Sequence, residues 1–432
     1  MSAGRSSRQE TVLAILDQGL SAGAGFLASV AIARWLTRDE FGAYGITVSL
    51  FSGLLAVHTA LISEPALIFG PSRFATQFAS YLSHLLHLHV RLCVAIGLLA
   101  SVIVHYLARG AWAGARPALE ATALVLAATA LPMLGRRILY AQRRVDAAVI
   151  ASAIQLLLAL LLLAALRRSG HLNAVAVVLA LALAALAAGL AAVAMARHHA
   201  TAQDDPQPQI NAPSLRDVWQ LHADFGRWGL VSAGLTWANI NLAVLALPLG
   251  GSLAAVGTLR AATNLIAPMI QLNGAVGVIR LPAFVRLRGT PALRPAIRRT
   301  ALSLTALSFL AWAVLALVGE WASSVLYKSR YPDILPLLLV LGALPAAEGL
   351  NFTFGSALRA IERPDVAVRM QLIGLLLGTL PGCWLAVRHG PIGAAAAILA
   401  CSACTAVAQG VAVYRLTRIR PSSFSAAHPV ST

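Results

Sequence analysis

Residues 174–196 read AVAVVLALALAALAAGLAAVAMA, a run with no charged and no hydrogen-bonding side chain. At 1.5 Å of rise per residue, such a run wound as a helix spans the roughly 30 Å of a bilayer's hydrocarbon. The residues before it, RRSGHLN (167–173), have the charge and the breakers of a loop, and LLLALLLLAAL (156–166) repeats the apolar composition. Two such helices joined by a short polar turn form a hairpin across a membrane. Backbone groups at membrane depth must be hydrogen-bonded within the protein, and long Ala/Leu/Val runs without alternation achieve this as helices rather than as strands of a barrel.

The rest of the chain has the same character. Of its 432 residues 59% are hydrophobic and 11% charged, with a mean hydropathy of +0.77; a soluble domain is usually about a quarter charged. The expected fold class is all-α, a polytopic membrane protein of about twelve transmembrane helices. Their approximate limits are 11–33, 43–64, 86–107, 118–139, 146–166, 172–196, 226–248, 253–278, 301–326, 334–358, 367–387 and 391–414. The net charge of +17 comes from arginines gathered between these spans. It therefore encodes topology rather than a nucleic-acid surface, and no nucleic-acid partner is expected. The basic residues favour one set of alternate loops, which places both termini in the cytoplasm. MSAGRSSRQE reads as a basic tail rather than a signal peptide.

TAQDDPQPQINAPS (201–214) is polar, Pro-containing and lies between the sixth and seventh spans. It predicts two six-helix lobes, 1–196 and 226–432, joined by a cytoplasmic linker over 197–225. Within that linker SLRDVWQLHADFGRWG begins with a Ser214/Asp217 cap and places Val218, Leu221 and Phe225 on one face, the pattern of an interfacial amphipathic helix.

Polar residues inside the spans are the candidate functional groups, since charge at membrane depth is costly. Successive residues turn by about 100°, so Arg260, Asn264 and Gln271 of the eighth span fall within about 40° of one another. The stripe reads either as the wall of an anion-binding cavity, for which a guanidinium fork suits phosphate, or as an arginine paired with an acid to hold the bundle. Ser232, Thr236 and Asn239 form a similar stripe on the seventh span, suited to touching sugars or to joining helices. Arg91 shares a side of the third span with His84 and His87, near enough to its inner end to snorkel. No acid or cysteine lies at ligand spacing from these histidines, so no metal site is expected. Cys401 and Cys404 of the CSAC run read as small packing residues.

Asp17 lies in LDQGLSAGAG (16–25), on a face that continues through Ser21, Ala24 and Ala28. It either carries a coupling proton or sodium ion or pairs with an arginine such as Arg91 or Arg260. Glu348 in mid-span and Glu64 at the end of the second span are the other coupling candidates. No cofactor is implied beyond H+ or Na+. Phosphate-cradling, zinc-protease and serine-hydrolase motifs are missing from the sequence, so the protein reads as a transporter rather than an enzyme.

The segment ARWLTRDEFGAYG (33–45), within the run from LDQGLSAGAG to EPALIFGP, resembles the opening of Wzx-type oligosaccharide-lipid flippases. These form the polysaccharide-transporter branch of the multidrug/oligosaccharidyl-lipid/polysaccharide (MOP) exporter superfamily. GGSLAAVGTLRAATNLIAPM (250–269) is similar to the matching joint of the second lobe. The resemblance implies a MATE-like V of two six-helix lobes and alternating access. It also implies a lipid-linked oligosaccharide, carried on polyprenyl diphosphate, as cargo in the bacterial inner membrane, with glycosyltransferases and a polysaccharide polymerase as partners. On this reading Arg260 would meet the diphosphate and Asp17 would be a first-helix coupling acid. A MATE-like cation-coupled multidrug antiporter of the same superfamily is the alternative, distinguished by an acid-dominated cavity.

Overall fold

The computed structural model describes residues 7–201, 214–332 and 334–418. Residues 202–213 of the predicted linker lie outside them. The described residues form helices joined by short turns, with no strand among them. They fall into two compact units, Met1–Trp237 and Ala238–Thr432.

The first unit contains α1 (Ser7–Trp35), α2 (Arg38–His58), a π-helical turn (Thr59–Ser63) and α3 (Glu64–Arg73). It continues with α4 (Phe78–Leu107), α5 (Arg116–Leu124), α6 (Leu126–Ala141), α7 (Val145–Ser169), α8 (Ala174–Thr201) and most of α9 (Leu215–Ala246). The joint that carries the family resemblance has a local job. Thr37 caps α2 by accepting from the Glu40 amide at 3.2 Å, and the Glu40 carboxylate accepts from the Ala174 amide at 2.6 Å, at the start of α8. One short motif thus satisfies orphan amides on two helices. Helix α8 approaches α6 closely because Gly135 faces Ala192 and Gly189 faces Leu131, leaving no room for side chains at either position.

The stretch expected to be a separate interfacial helix runs without a break into the seventh span as α9. Its early residues anchor on the first unit. Val218 joins a core with Leu61, Ile62, Tyr81, Leu85, Leu134 and Ile138. His222, fully buried, accepts from the Tyr81 hydroxyl at 2.8 Å and donates through Nδ1 to the Leu61 carbonyl at 3.0 Å. Burial pushes the His222 pKa down to about 4, so the ring stays neutral.

The second unit contains the end of α9, then α10 (Leu253–Arg286), α11 (Leu293–Tyr327), α12 (Ile334–Leu341), α13 (Leu344–Ala360), α14 (Pro364–Gly374), a second π-helical turn (Leu375–Thr379) and α15 (Leu380–Arg418). Buried Asn273 ties three of these together, donating to Ser308 Oγ of α11 at 3.2 Å and to the Pro345 carbonyl of α13 at 2.7 Å.

Ten helices among the described residues are long and apolar enough to cross a membrane, eleven if the α5/α6 pair, bent by 52°, counts as one span. The longest of the ten, Pro364–Arg418, has 55 residues and would be about 80 Å long if straight. It reverses at Gly390, whose φ of 61° and ψ of −141° are not helical. Gly374, Gly378 and Gly382 then lie against Thr405, Cys401 and Ala397, a regular antiparallel seam in which each added Cβ would strike the partner helix at 2.0 to 2.4 Å. Dividing this element in two makes the count twelve. Cys401 is one of the small residues of the seam.

Candidate functional site

In the first unit the polar face of α1 meets α6 and α7. Asp17, with no exposed surface, accepts two hydrogen bonds on Oδ2 from Arg136, from Nη2 at 2.7 Å and Nε at 3.2 Å. The Tyr140 hydroxyl donates to the same oxygen at 2.8 Å, and Ser152 donates to Oδ1 at 2.5 Å. Arg136 extends the network through Nη1 to Ser21 at 2.6 Å. Arg136 and Tyr140 are four residues apart on α6 and so share a face. The Arg136 side chain keeps 19% of its surface exposed, so the cation sits at the edge of the network and the anion inside it.

The pairing of Asp17 with an arginine is therefore present, and its partner is Arg136. Arg91, one of the two arginines named from the sequence, is exposed on α4. Ser232 is half-buried and Thr236 exposed on α9, where the Thr236 hydroxyl donates to the Ser232 carbonyl at 2.9 Å, a bond within its own helix. Glu64 is exposed at the first position of α3.

In the second unit the α10 stripe is not one environment. Arg260 is half-buried, Asn264 is buried where the Tyr327 hydroxyl bonds it and the Ala261 carbonyl, and Gln271, beyond Pro268, is exposed. Asn239 is turned toward α14 and the π-helical turn, donating to the Gln371 carbonyl at 3.2 Å and accepting from Thr379 at 3.3 Å.

Glu348 lies where α13 packs along α15. Its carboxylate accepts from Ser402, which also accepts from Asn351 Nδ2 at 3.1 Å. Asn351 Oδ1 and Gln409 Oε1 are enclosed without hydrogen-bond partners. Glu348, Asn351 and Gly355 are spaced three and four residues apart on α13, and Gly355 faces Gln409, so the carboxylate and both unpartnered oxygens belong to one seam. A carboxylate with neutral oxygens suits a proton or a hard cation. The recess of about 370 Å³ between α10, α11 and α13 is different, lined by Leu265, Ile266, Met269, Leu310, Val314 and Leu315, and unsuited to a charged or sugar ligand.

Sequence reasoning missed Arg136, which follows Gly135 beside Arg137 and reads as an inner-end topology signal. It also missed a buried cluster of His58, His89 and Cys93 at the π-helical turn. The spacing of His89 and Cys93, i and i+4 on one helix, was the available clue.

No family model matches the chain, and no curated protein does. Solved structures do. A multidrug resistance MATE family transporter of the MOP superfamily in its inward-facing conformation superposes with a TM-score of 0.72 at 13% identity, over 94% of this chain and 99% of that one. The lipid II flippase MurJ in an inward closed conformation gives 0.69 at 13% identity, over 94% and 88%. A MOP superfamily transporter from Pyrococcus furiosus, described by the reverse polarity of its binding pocket, gives 0.64 at 15% identity, over 96% and 95%. These neighbours are transporters and flippases rather than enzymes, and the chain has the all-helical, multi-pass fold of MOP superfamily transporters.

Proposed function

We propose that this chain is a flippase that moves a polyprenyl-diphosphate-linked oligosaccharide from the cytoplasmic to the periplasmic leaflet of a bacterial inner membrane by alternating access. Both termini are cytoplasmic on this reading. The product serves O-antigen, capsule or exopolysaccharide assembly, with glycosyltransferases upstream and a polymerase downstream. The observation that carries the reading is the state of Asp17. It is the one acid fully buried among the described residues, and Arg136, Tyr140 and Ser152 saturate it. Asp17 is thus already neutralised by Arg136 and offers no free carboxylate to a cationic drug. Arg91 and Arg260 are among the arginines inside the predicted spans, and unlike Arg136 neither is bound to Asp17. A diphosphate needs such groups, because carrying its charge through hydrocarbon unaided is prohibitive. The likeness to a lipid II flippase fits a lipid-linked cargo.

Arg260 is assigned to the diphosphate, with Arg91, Asn264 and Gln271 as further cavity groups and Ser232, Thr236 and Asn239 toward the sugars. Coupling to a proton or sodium gradient is assigned to Glu348, whose seam holds the unpartnered oxygens, ahead of exposed Glu64 and saturated Asp17. Arg260→Ala, at unchanged protein level, is expected to abolish surface polysaccharide and trap the lipid-linked oligosaccharide on the cytoplasmic leaflet. Normal export in that variant removes Arg260 from the diphosphate site. Unchanged polymer in a gene deletion, with new sensitivity to cationic drugs, replaces the flippase by the MATE-like antiporter.

A further inference from the structure

Where α2 ends, the helix widens into the π-helical turn Thr59–Ser63, and the residue at the boundary is His58, almost fully buried. Such turns interrupt helices chiefly where a side chain has to be placed for a purpose. His58 Nε2 faces His89 Nδ1 of α4 at 2.9 Å. Cys93 Sγ, one turn further along α4, lies 3.8 Å from the same His89 nitrogen. One donor atom from each of the three residues falls within 4.8 Å of the others, and all three side chains are buried.

The outer nitrogens are held as they are in protein metal sites. His89 Nε2 donates to the Ala127 carbonyl at 3.1 Å, which leaves the Nδ1 lone pair pointing into the cluster. Ser63 Oγ lies 3.3 Å from His58 Nδ1, five residues along, where the π turn returns it. A serine hydroxyl both donates and accepts, so it supports either tautomer of His58. Hydrogen bonds of this kind to the non-ligating nitrogen orient metal-binding histidines.

We propose that His58 Nε2, His89 Nδ1 and Cys93 Sγ form a binding site for one soft transition-metal ion, and that the ion is Cu+. Ligands on one metal at bonds of 2.0 to 2.3 Å stand about 3.5 Å apart, so a movement of about half an ångström of His58 from His89 opens the site. Three donors, two imidazoles and a thiolate, suit a three-coordinate soft ion. Charge selects the oxidation state. Cu+ with one thiolate is neutral, whereas Zn2+ would leave a net positive charge in a buried place and a fourth position to fill. On binding, the Cys93 thiol proton is released to solvent and the His58 proton moves from Nε2 to Nδ1, where it donates to Ser63. The copper stays Cu+ throughout. This assignment is independent of the transport reading.

The test uses the purified full chain in detergent, kept anaerobic and reduced, and titrated with Cu+ in competition with the chromogenic chelator bicinchoninate. Wild type and the C383A/C401A/C404A variant are expected to bind one Cu+ per chain. Cys93→Ala in that background, and His89→Gln, are expected to bind at least 100-fold more weakly while eluting as monodisperse protein. X-ray absorption of the loaded C383A/C401A/C404A variant is expected to show one sulfur and two imidazole nitrogens. Unchanged Cu+ binding in Cys93→Ala overturns the site. A copper shell without sulfur overturns it even if the substituted proteins fail to fold, and tighter retention of Zn2+ than of Cu+ overturns the choice of ion.

Discussion

Replacing Arg136 with methionine is the sharpest probe of the first unit, because methionine keeps the aliphatic length and deletes the charge. Asp17 is fully buried and takes two of its four hydrogen bonds from Arg136. The variant leaves the carboxylate with only Tyr140 and Ser152, and Ser21 without its guanidinium partner. Breaking a buried ion pair from one side costs about 3–5 kcal/mol, since the remaining charge is uncompensated. At roughly 2–4 °C per kcal/mol for a unit of this size, the melting temperature should fall by about 6–20 °C. Asp17→Asn in the same chain removes the stranded charge, so the double variant Asp17→Asn/Arg136→Met should recover at least half of the loss. Size-exclusion chromatography of detergent extracts heated in steps reads both effects. A single variant melting within about 3 °C of wild type, or a double variant that loses the sum of the two singles, would refute the argument that charge compensation holds α1 to α6 and α7.

Three further outcomes follow from particular contacts. Gly378→Leu should prevent accumulation of folded protein, because even a Cβ at this position would lie 2.4 Å from the Cys401 Cα and a helix backbone cannot give way; expression followed by chromatography checks it. His222 is neutral in the fold and titrates near its ordinary value of about 6.5 once unfolded, so the unfolded state binds more protons between about pH 6.5 and 4. Acidification from pH 7 to 5 should therefore destabilise the chain by about 2 kcal/mol through this residue, and His222→Asn should flatten the pH dependence of melting; parallel slopes would rule it out. Glu348→Gln should abolish dependence of transport on an ion gradient without changing the melting temperature by more than about 4 °C, measured in vesicles with imposed proton and sodium gradients.

Much of the architecture was legible because the membrane imposes a simple code. Apolar runs the length of a bilayer announce spans, and the gap left between the eleventh and twelfth, 367–387 and 391–414, contains the reversal at Gly390. Within a helix, periodicity correctly gave Asp17 a polar and small face. It could not give the partner, because the angle of a residue around its own axis says nothing about which neighbouring helix it meets. Arg136 was hidden for that reason, and His58 likewise, being 31 residues from the histidine it touches. The stripe of Arg260, Asn264 and Gln271 meets the same limit: a shared angle does not give shared surroundings, since Tyr327 from another helix bonds Asn264 while Gln271 is exposed. The amphipathic start of α9 was also read correctly as a pattern, but the apolar face covers protein rather than a membrane surface.

The reversal at Gly390 bears on how the chain is made. Arg388 and His389 stand at its tip with no loop around them, and three glycines let the flanking helices touch along their backbones. Helices this close can pair as soon as both have left the ribosome, before the rest of the second unit has gathered. The insertion machinery would then receive a finished hairpin, and the last two spans would enter the bilayer in one event instead of two.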